Sequence, residues 1–208
     1  LSNDIYISAS CVINDNVVYK NGRSLFENEK IELPEFLIAA YNHFGISYPK
    51  FYKMDALSKL GVLAADILLK DDFTIENYKA EDVGIVLSNA NASLDTDIRY
   101  FETVKDMASP ALFVYTLPNI VIGEISIKHR LKGENAFFIA EKFDMDFMQQ
   151  YISNLFCNNV LHACICGWVE VLGNKYKTVL YLIEKNNNSR SLNFTKENIN
   201  KIYENYNG

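Results

Sequence analysis

The residues with the softest donor chemistry stand close together, in His162-Ala163-Cys164-Ile165-Cys166, with Cys157 a few positions earlier. In an extended chain alternate side chains share a face, so His162, Cys164 and Cys166 could converge as three ligands for a soft metal. The competing reading is a buried strand whose sulfurs act as small apolar groups. It is the favoured one, because free cysteine is among the most buried residue types. Cys11 lies in another apolar run, and the four cysteines lack the regular spacing of a disulfide framework, so all are expected as reduced thiols. Histidines available for acid–base work are His43, His129 and His162. Asn91-Ala92-Ser93, Asn187-Asn188-Ser189 and Asn193-Phe194-Thr195 match the glycosylation acceptor pattern, which chance explains in an Asn-rich chain.

These groups sit in a chain of 208 residues, 49% hydrophobic and 22% charged, with a net charge of -6. That length supports a substantial core, and the composition excludes a disordered or collagen-like chain. The acidic balance, without a basic cluster, argues against nucleic acid, whose phosphates must be met by Lys and Arg. No apolar run is long enough to span a bilayer, and Asn3 and Asp4 stand where a signal peptide needs a basic start, so a cytoplasmic location is expected.

The elements that must position the chemistry follow from periodicity. Residues 5–13, 82–90 and 136–140 read as strands, and residues 160–172 and 177–185 as a hairpin joined by Gly173-Asn174-Lys175-Tyr176, too short for a parallel crossover. Helical spacing marks residues 34–44, 54–70, 94–105, 118–131 and 144–158, with Thr116 as N-cap of the fourth. After a polar loop at 186–190, Thr195 caps a closing helix with Ile199, Ile202, Tyr203 and Tyr206 on its apolar face. The pattern predicts an α/β fold: a mostly parallel five-stranded sheet with an antiparallel edge strand and helices on both faces.

Three segments, in order, resemble the N-terminal half of β-ketoacyl-acyl-carrier-protein synthases, condensing enzymes of the thiolase-like superfamily. Lys53-Met54-Asp55-Ala56-Leu57 is similar to the family's Arg-Met-Asp start of an Ala-rich helix. Val83-Gly84-Ile85-Val86-Leu87 with the small-residue loop 88–93 resembles its Val-Gly-Val-Val strand and Gly-rich turn. Ser109-Pro110, Tyr115-Thr116-Leu117-Pro118-Asn119, Gly123, Ile125-Ser126-Ile127, Leu131-Lys132-Gly133 and Asn135 match the third run almost residue for residue. Of these, Met54, Asp55, Ser109, Pro110, Thr116, Pro118, Asn119, Gly123, Lys132, Gly133 and Asn135 are read as structural. The resemblance implies a thiolase-like half-domain, residues 1–208, as a single ketosynthase-N-terminal-like domain.

The departures bear on activity. In the family, the Leu-Lys-Gly-Pro-Asn run is followed at fixed distance by the catalytic cysteine at a helix N-terminus, where the dipole lowers the thiol pKa. Here that position is Lys142, and no Cys, Ser or Thr occurs from Ala136 through Tyr151. Glu134 replaces the family's proline. The further catalytic residues of the family come from a C-terminal half that repeats the fold, and none of the three histidines lies in a matching segment. A non-catalytic relative without cofactor or metal is therefore expected. The helix from Asp144 carries Gln149, Gln150, Ser153 and Asn154 on one side, where the family's equivalent is small and apolar. That face should meet water or a polar partner.

What the resemblance implies about function is an auxiliary, chain-length-factor-like subunit of bacterial fatty-acid or polyene-type biosynthesis. Its partners would be a ketosynthase or an acyl carrier protein, with homodimer or heterodimer formation through the strand at 136–140. Carrier proteins are acidic, so binding one would need a local basic patch, for which Lys128, His129, Arg130 and Lys132 are the candidates. The alternative is an acyltransferase or thioesterase with relocated chemistry, at Lys142 or an unplaced group, and a pocket would then be needed beneath Lys142.

Overall fold

The computed structural model describes residues 4–29, 31–185 and 191–205. One sheet runs through them in the order β3-β2-β1-β7-β6-β4-β5, with β8 beside β1. Its strands are β1 (Tyr6–Asn14), β2 (Val17–Lys20), β3 (Arg23–Glu27), β4 (Val83–Asn89), β5 (Asn135–Ile139), β6 (Ala163–Leu172), β7 (Lys175–Glu184) and β8 (Leu192–Asn193). β4 pairs in parallel with β5 and β6, and all other pairings are antiparallel.

The five expected strands are present, and β1, β4, β5 and β6 run in one direction. Three more strands extend the sheet to eight. The antiparallel strand expected at the edge, β7, lies inside the sheet between β1 and β6, and the antiparallel edge is made by β2 and β3. Two of the three, β2 and β3, follow from turn chemistry. Asp15-Asn16 and Asn21-Gly22 all take positive φ, the geometry of tight hairpin turns, and asparagine, aspartate and glycine tolerate it.

Helices cover both faces. On one face α1 (Leu33–His43), α2 (Ala56–Leu69) and α5 (Ile120–His129) pack onto Ile85, Leu87, Ile165, Val169, Leu180 and Leu182. On the other, α6 (Met145–Cys157) and α7 (Lys196–Glu204) cover Val86, Cys164, Cys166, Trp168, Val179, Tyr181 and Ile183. The period-2 alternation of the strand sequences divides the two cores as a sheet buried on both faces requires. α7 is fixed by Tyr181 Oη, which donates to Ile199 O at 2.9 Å, and by Lys177 Nζ, 4.0 Å from the Tyr203 ring centre. Tyr206, the polar loop at 186–190 and the acceptor pattern at Asn187-Asn188-Ser189 lie outside the described residues.

The helix expected from Pro118 begins at Ile120, with Asn119 as its N-cap. Thr116 does not cap it, because its hydroxyl donates to Phe113 O at 2.7 Å and closes the preceding 3-10 turn. The helix expected at 94–105 is α3 (Leu94–Val104), followed by a short α4 (Pro110–Phe113) that Ser109 caps. Among the described residues no single helix is long and apolar enough to cross a membrane.

Candidate functional site

The turn between β5 and α6 is where the sequence places the nucleophile-equivalent position. Asp144 caps α6, its carboxylate accepting from Phe147 N at 2.9 Å. An anionic side chain of this chain thereby occupies the electropositive helix end. Glu141 and Lys142 point outward and are exposed. The inward position belongs to Phe143, which is 6% exposed. Its ring lies 5.9 Å from Trp168, 6.3 Å from Tyr181 and 5.2 Å from Tyr203. Phe143, Trp168, Tyr181 and Tyr203 thus form an aromatic cluster on the inner side of this turn. Phe137 and Phe138 take no part in that cluster. Phe137 packs on the α2 side, and Phe138 stacks edge-on against Phe147 and Tyr151 of α6.

The loop after β4 is equally closed. Glu170 of β6 accepts from Ala90 N at 2.6 Å, Asn91 N at 3.3 Å and Asn91 Nδ2 at 3.1 Å. Buried Asn89 accepts from Ala92 N at 2.9 Å and donates to Ala92 O at 2.8 Å. These bonds hold Ala92 at φ +49°. Backbone donors that could hold an oxyanion are engaged by the chain's own carboxylate and amide. Glu170 is a contact that sequence reading missed. Its partners are some eighty positions away, and no local signal marks it.

Asp55 is the N-cap of α2, accepting from Ser58 N at 2.9 Å and from Thr96 Oγ1 at 2.7 Å, and so ties α2 to α3. Burial raises its pKa, opposed by the hydrogen bonds from Ser58 and Thr96. The folded protein therefore holds this proton more tightly than the unfolded chain. The resulting stabilisation is complete below the unfolded carboxylate pKa and is lost as pH rises through the raised folded value. Asp55→Asn keeps a capping oxygen and removes the titration. The stability of the parent relative to this variant should fall across that window, as read from urea midpoints at several pH values. A constant difference would contradict the assignment. Asp55→Ala orphans the Ser58 N–H and the Thr96 hydroxyl and should cost about 1–3 kcal/mol at any pH.

Several other motif residues make contacts within the fold. Gly133 lies so close to the preceding turn that a Cβ would stand 2.6 Å from Val83 O and 2.8 Å from Glu81 O. Lys132 N donates to Ala80 O at 2.9 Å, and the Lys132 ammonium is 3.9 Å from Glu81. Met54 is buried, Pro110 lies in the first turn of α4, and Asn135 opens β5 opposite Ile85. Gly123 has open space around it, so no close approach demands glycine there. A second unanticipated contact joins Lys50 to buried Glu124 at 2.7 Å, with Tyr115 Oη donating to the same carboxylate at 3.3 Å. The Tyr115 phenol is pushed up, first by burial and then by Glu124.

The His162-Cys164-Cys166 run does not converge. His162 precedes β6 and faces Asp82 at 3.3 Å, whereas Cys164 and Cys166 are fully buried between the sheet and α6. Burial pushes the Cys11 thiol up to about 12 and raises those of Cys164 and Cys166 as well. Cys157 alone is exposed among the four free cysteines. A thiol reagent such as DTNB should titrate one thiol per native chain, lost in Cys157→Ser, and all of them after denaturation. Rapid reaction of a second native thiol would contradict this packing.

The basic candidates near the end of α5 are largely neutralised. Lys128 and His129 lie 3.0 and 2.8 Å from Asp66, leaving Arg130, which ends the helix in the left-handed conformation. On α6 the polar face is open, with Gln150 and Asn154 exposed and Gln149 and Ser153 half-buried. A cavity of about 620 Å³ lies beside β1, the β2–β3 hairpin and α7, and none of the candidate site or family-motif residues lines it.

No family model and no curated protein matches the chain. Solved structures do match. The ishigamide ketosynthase/chain length factor has a TM-score of 0.64 at 14% identity, over 87% of this chain and 62% of that one. The ketosynthase ApeO in complex with its chain length factor ApeC from Xenorhabdus doucetiae gives 0.54 at 13% identity, over 87% and 78%. AntDE:AntF, a type II PKS acyl-carrier protein in complex with its ketosynthase, gives 0.61 at 14% identity, over 87% and 62%. The chain spans about three fifths of the length of the first and third. At such identities the likeness establishes the fold, the thiolase-like α/β architecture that the sequence motifs predicted.

Proposed function

We propose that this chain, acting as one ketosynthase-N-terminal-like domain in the bacterial cytoplasm, is a non-catalytic, chain-length-factor-like subunit that pairs with a ketosynthase in fatty-acid or polyene-type biosynthesis. The observation that carries the reading is the turn before α6. Lys142 faces solvent where the family's nucleophile would be, Asp144 holds the helix N-terminus, and Phe143 fills the interior. Neither acyl transfer nor decarboxylative condensation has a nucleophile there. Relocated acyltransferase or thioesterase chemistry would need a pocket beneath Lys142, and against this stands its neighbour Phe143, packed inward on Trp168, Tyr181 and Tyr203.

β5 supplies a route to a partner. It is an edge strand that pairs with β4 alone, and Asn135-Ala136-Phe137-Phe138-Ile139 carries none of the charges, prolines or bulges that normally protect an edge. Across a two-fold or pseudo-two-fold axis it could extend the sheet into a second chain. A ketosynthase suits this surface better than an acidic carrier protein, because Asp66 engages Lys128 and His129, two of the four basic residues such a protein would need. The test compares the product spectrum of a full-length ketosynthase from the same source with and without this chain. The expected result is a shifted distribution of product lengths that Lys142→Ala leaves unchanged. An unchanged spectrum, or one abolished by Lys142→Ala, would overturn the reading.

A further inference from the structure

β1 is covered unevenly along its outer edge. β2 pairs with Cys11–Asn14 and β8 with Tyr6 and Ile7, and a bulge in the β1–β7 ladder falls between Ile7 and Ala9. Over Ser8, Ala9 and Ser10 this edge has no strand beside it among the described residues. Asn21, in the β2–β3 turn, satisfies Ser10 instead: its Oδ1 accepts from Ser10 N at 2.8 Å and its N donates to Ser10 O at 2.9 Å. The cavity of about 620 Å³ opens over this break, between the β2–β3 hairpin, the turn after α2, β8 and α7. Its volume falls within the usual range of small-molecule sites, roughly 300–1,000 Å³.

The lining combines two chemistries. Leu25 and Leu192, each 42% exposed, and Ile202 give it apolar walls. Its charged residues are Lys20, Arg23, Lys201, Asp71 and Asp72. Lys20 and Asp72 neutralise each other at 2.8 Å, and Asn21 Nδ2 donates to the same carboxylate at 3.2 Å. The side chains of Arg23, Lys201 and Asp71 make no hydrogen bond or ion pair among the described residues. Two cations less one anion leave an unpaired charge of +1, in a chain whose net charge is -6. A local positive site in an acidic protein runs against the field of the whole molecule and marks where an anion is favoured. The Ser10 hydroxyl, without a partner of its own among the described residues, adds a donor at the break.

We propose that this cavity binds an organic monoanion, a carboxylate on an aliphatic body, with its carboxylate at Arg23 and Lys201 and its body against Leu25, Leu192 and Ile202. Charge and surface together select this class. A cation is repelled by Arg23 and Lys201. A dianion such as a phosphate monoester overcompensates the single unpaired charge and sits beside Asp71 and Asp72. A neutral apolar molecule gains nothing from the two cations. A monocarboxylate brings the sum to zero, and the guanidinium fork matches its two oxygens.

The test is an amide-resolved NMR titration of the isotope-labelled full chain with octanoate, in parallel with octanol and inorganic phosphate. Octanoate is expected to give saturable shifts at the Ser10, Gly22 and Ile202 amides, octanol to bind at least about fivefold more weakly, and phosphate to leave these amides unmoved over the same concentrations. Arg23→Gln combined with Lys201→Gln changes two exposed side chains and should leave the thermal melt unaltered while raising the octanoate Kd about tenfold or more. Absence of saturable shifts with octanoate would overturn the proposal. So would shifts confined to α3, where Phe101 is 66% exposed and offers another apolar surface. Octanol or phosphate binding at these amides as tightly as octanoate, or a double variant within about twofold of the parent, would show that the carboxylate is not recognised and would overturn it as well.

Discussion

Phe143→Ala is expected to destabilise the protein by about 3–5 kcal/mol, read as a lowered urea midpoint with an unchanged m-value. The ring is 6% exposed and contacts Trp168, Tyr181 and Tyr203, residues that tie β6, β7 and α7 together. Its removal costs the transfer of the ring and leaves a cavity that these large neighbours cannot all collapse into. Phe143→Leu should recover more than half of the loss. This result bears on function as well as stability, because a turn that had to accommodate an acyl chain would tolerate a smaller side chain at this position. A loss below about 1 kcal/mol would mean that the space is not packed as described.

Gly167→Ala is expected to have the larger effect, above about 4 kcal/mol, so that the variant is recovered unfolded. Gly167 sits in the middle of β6 at φ +147°, between Leu87 of β4 and Leu180 of β7. A Cβ there would stand 2.0 Å from Val179 O, a backbone atom in the centre of the sheet that cannot move without breaking the β6–β7 ladder. Gly123→Ala provides the contrast. That helical glycine has nothing within 4 Å of its would-be Cβ, and the exchange should stabilise α5 by up to about 1 kcal/mol. If Gly167→Ala folds as well as the parent, the ladder contact at Val179 is misplaced.

Local chemistry made much of this architecture legible. Asp144 and Thr195 cap the helices expected of them, and Gly173-Asn174 turns the β6–β7 hairpin. Asn21-Gly22 carries a hairpin signal as well, but the runs on either side of it are only four and five residues long and do not stand out as strands. Strand order depends on pairings between distant segments. β1 meets β7 across most of the chain, so no local pattern shows that β7 lies inside the sheet. Thr116 misled because a threonine before a proline turn reads as a cap, whereas its hydroxyl is satisfied by the preceding turn.

The site divides along the same line. That position 142 carries no nucleophile was readable residue by residue, but Glu170 closing the 89–92 loop was not, because the contact is made only in the folded sheet. For α3, the period identified a helix, but periodicity alone does not say that its apolar face is exposed.

Native mass spectrometry of this chain mixed with a full-length ketosynthase from the same source, after incubation with an acyl thioester, tests the central claim most directly. The account predicts a one-to-one complex with the acyl group on the ketosynthase and none on this chain. Two unassociated proteins, or an acyl adduct on this chain, would contradict it.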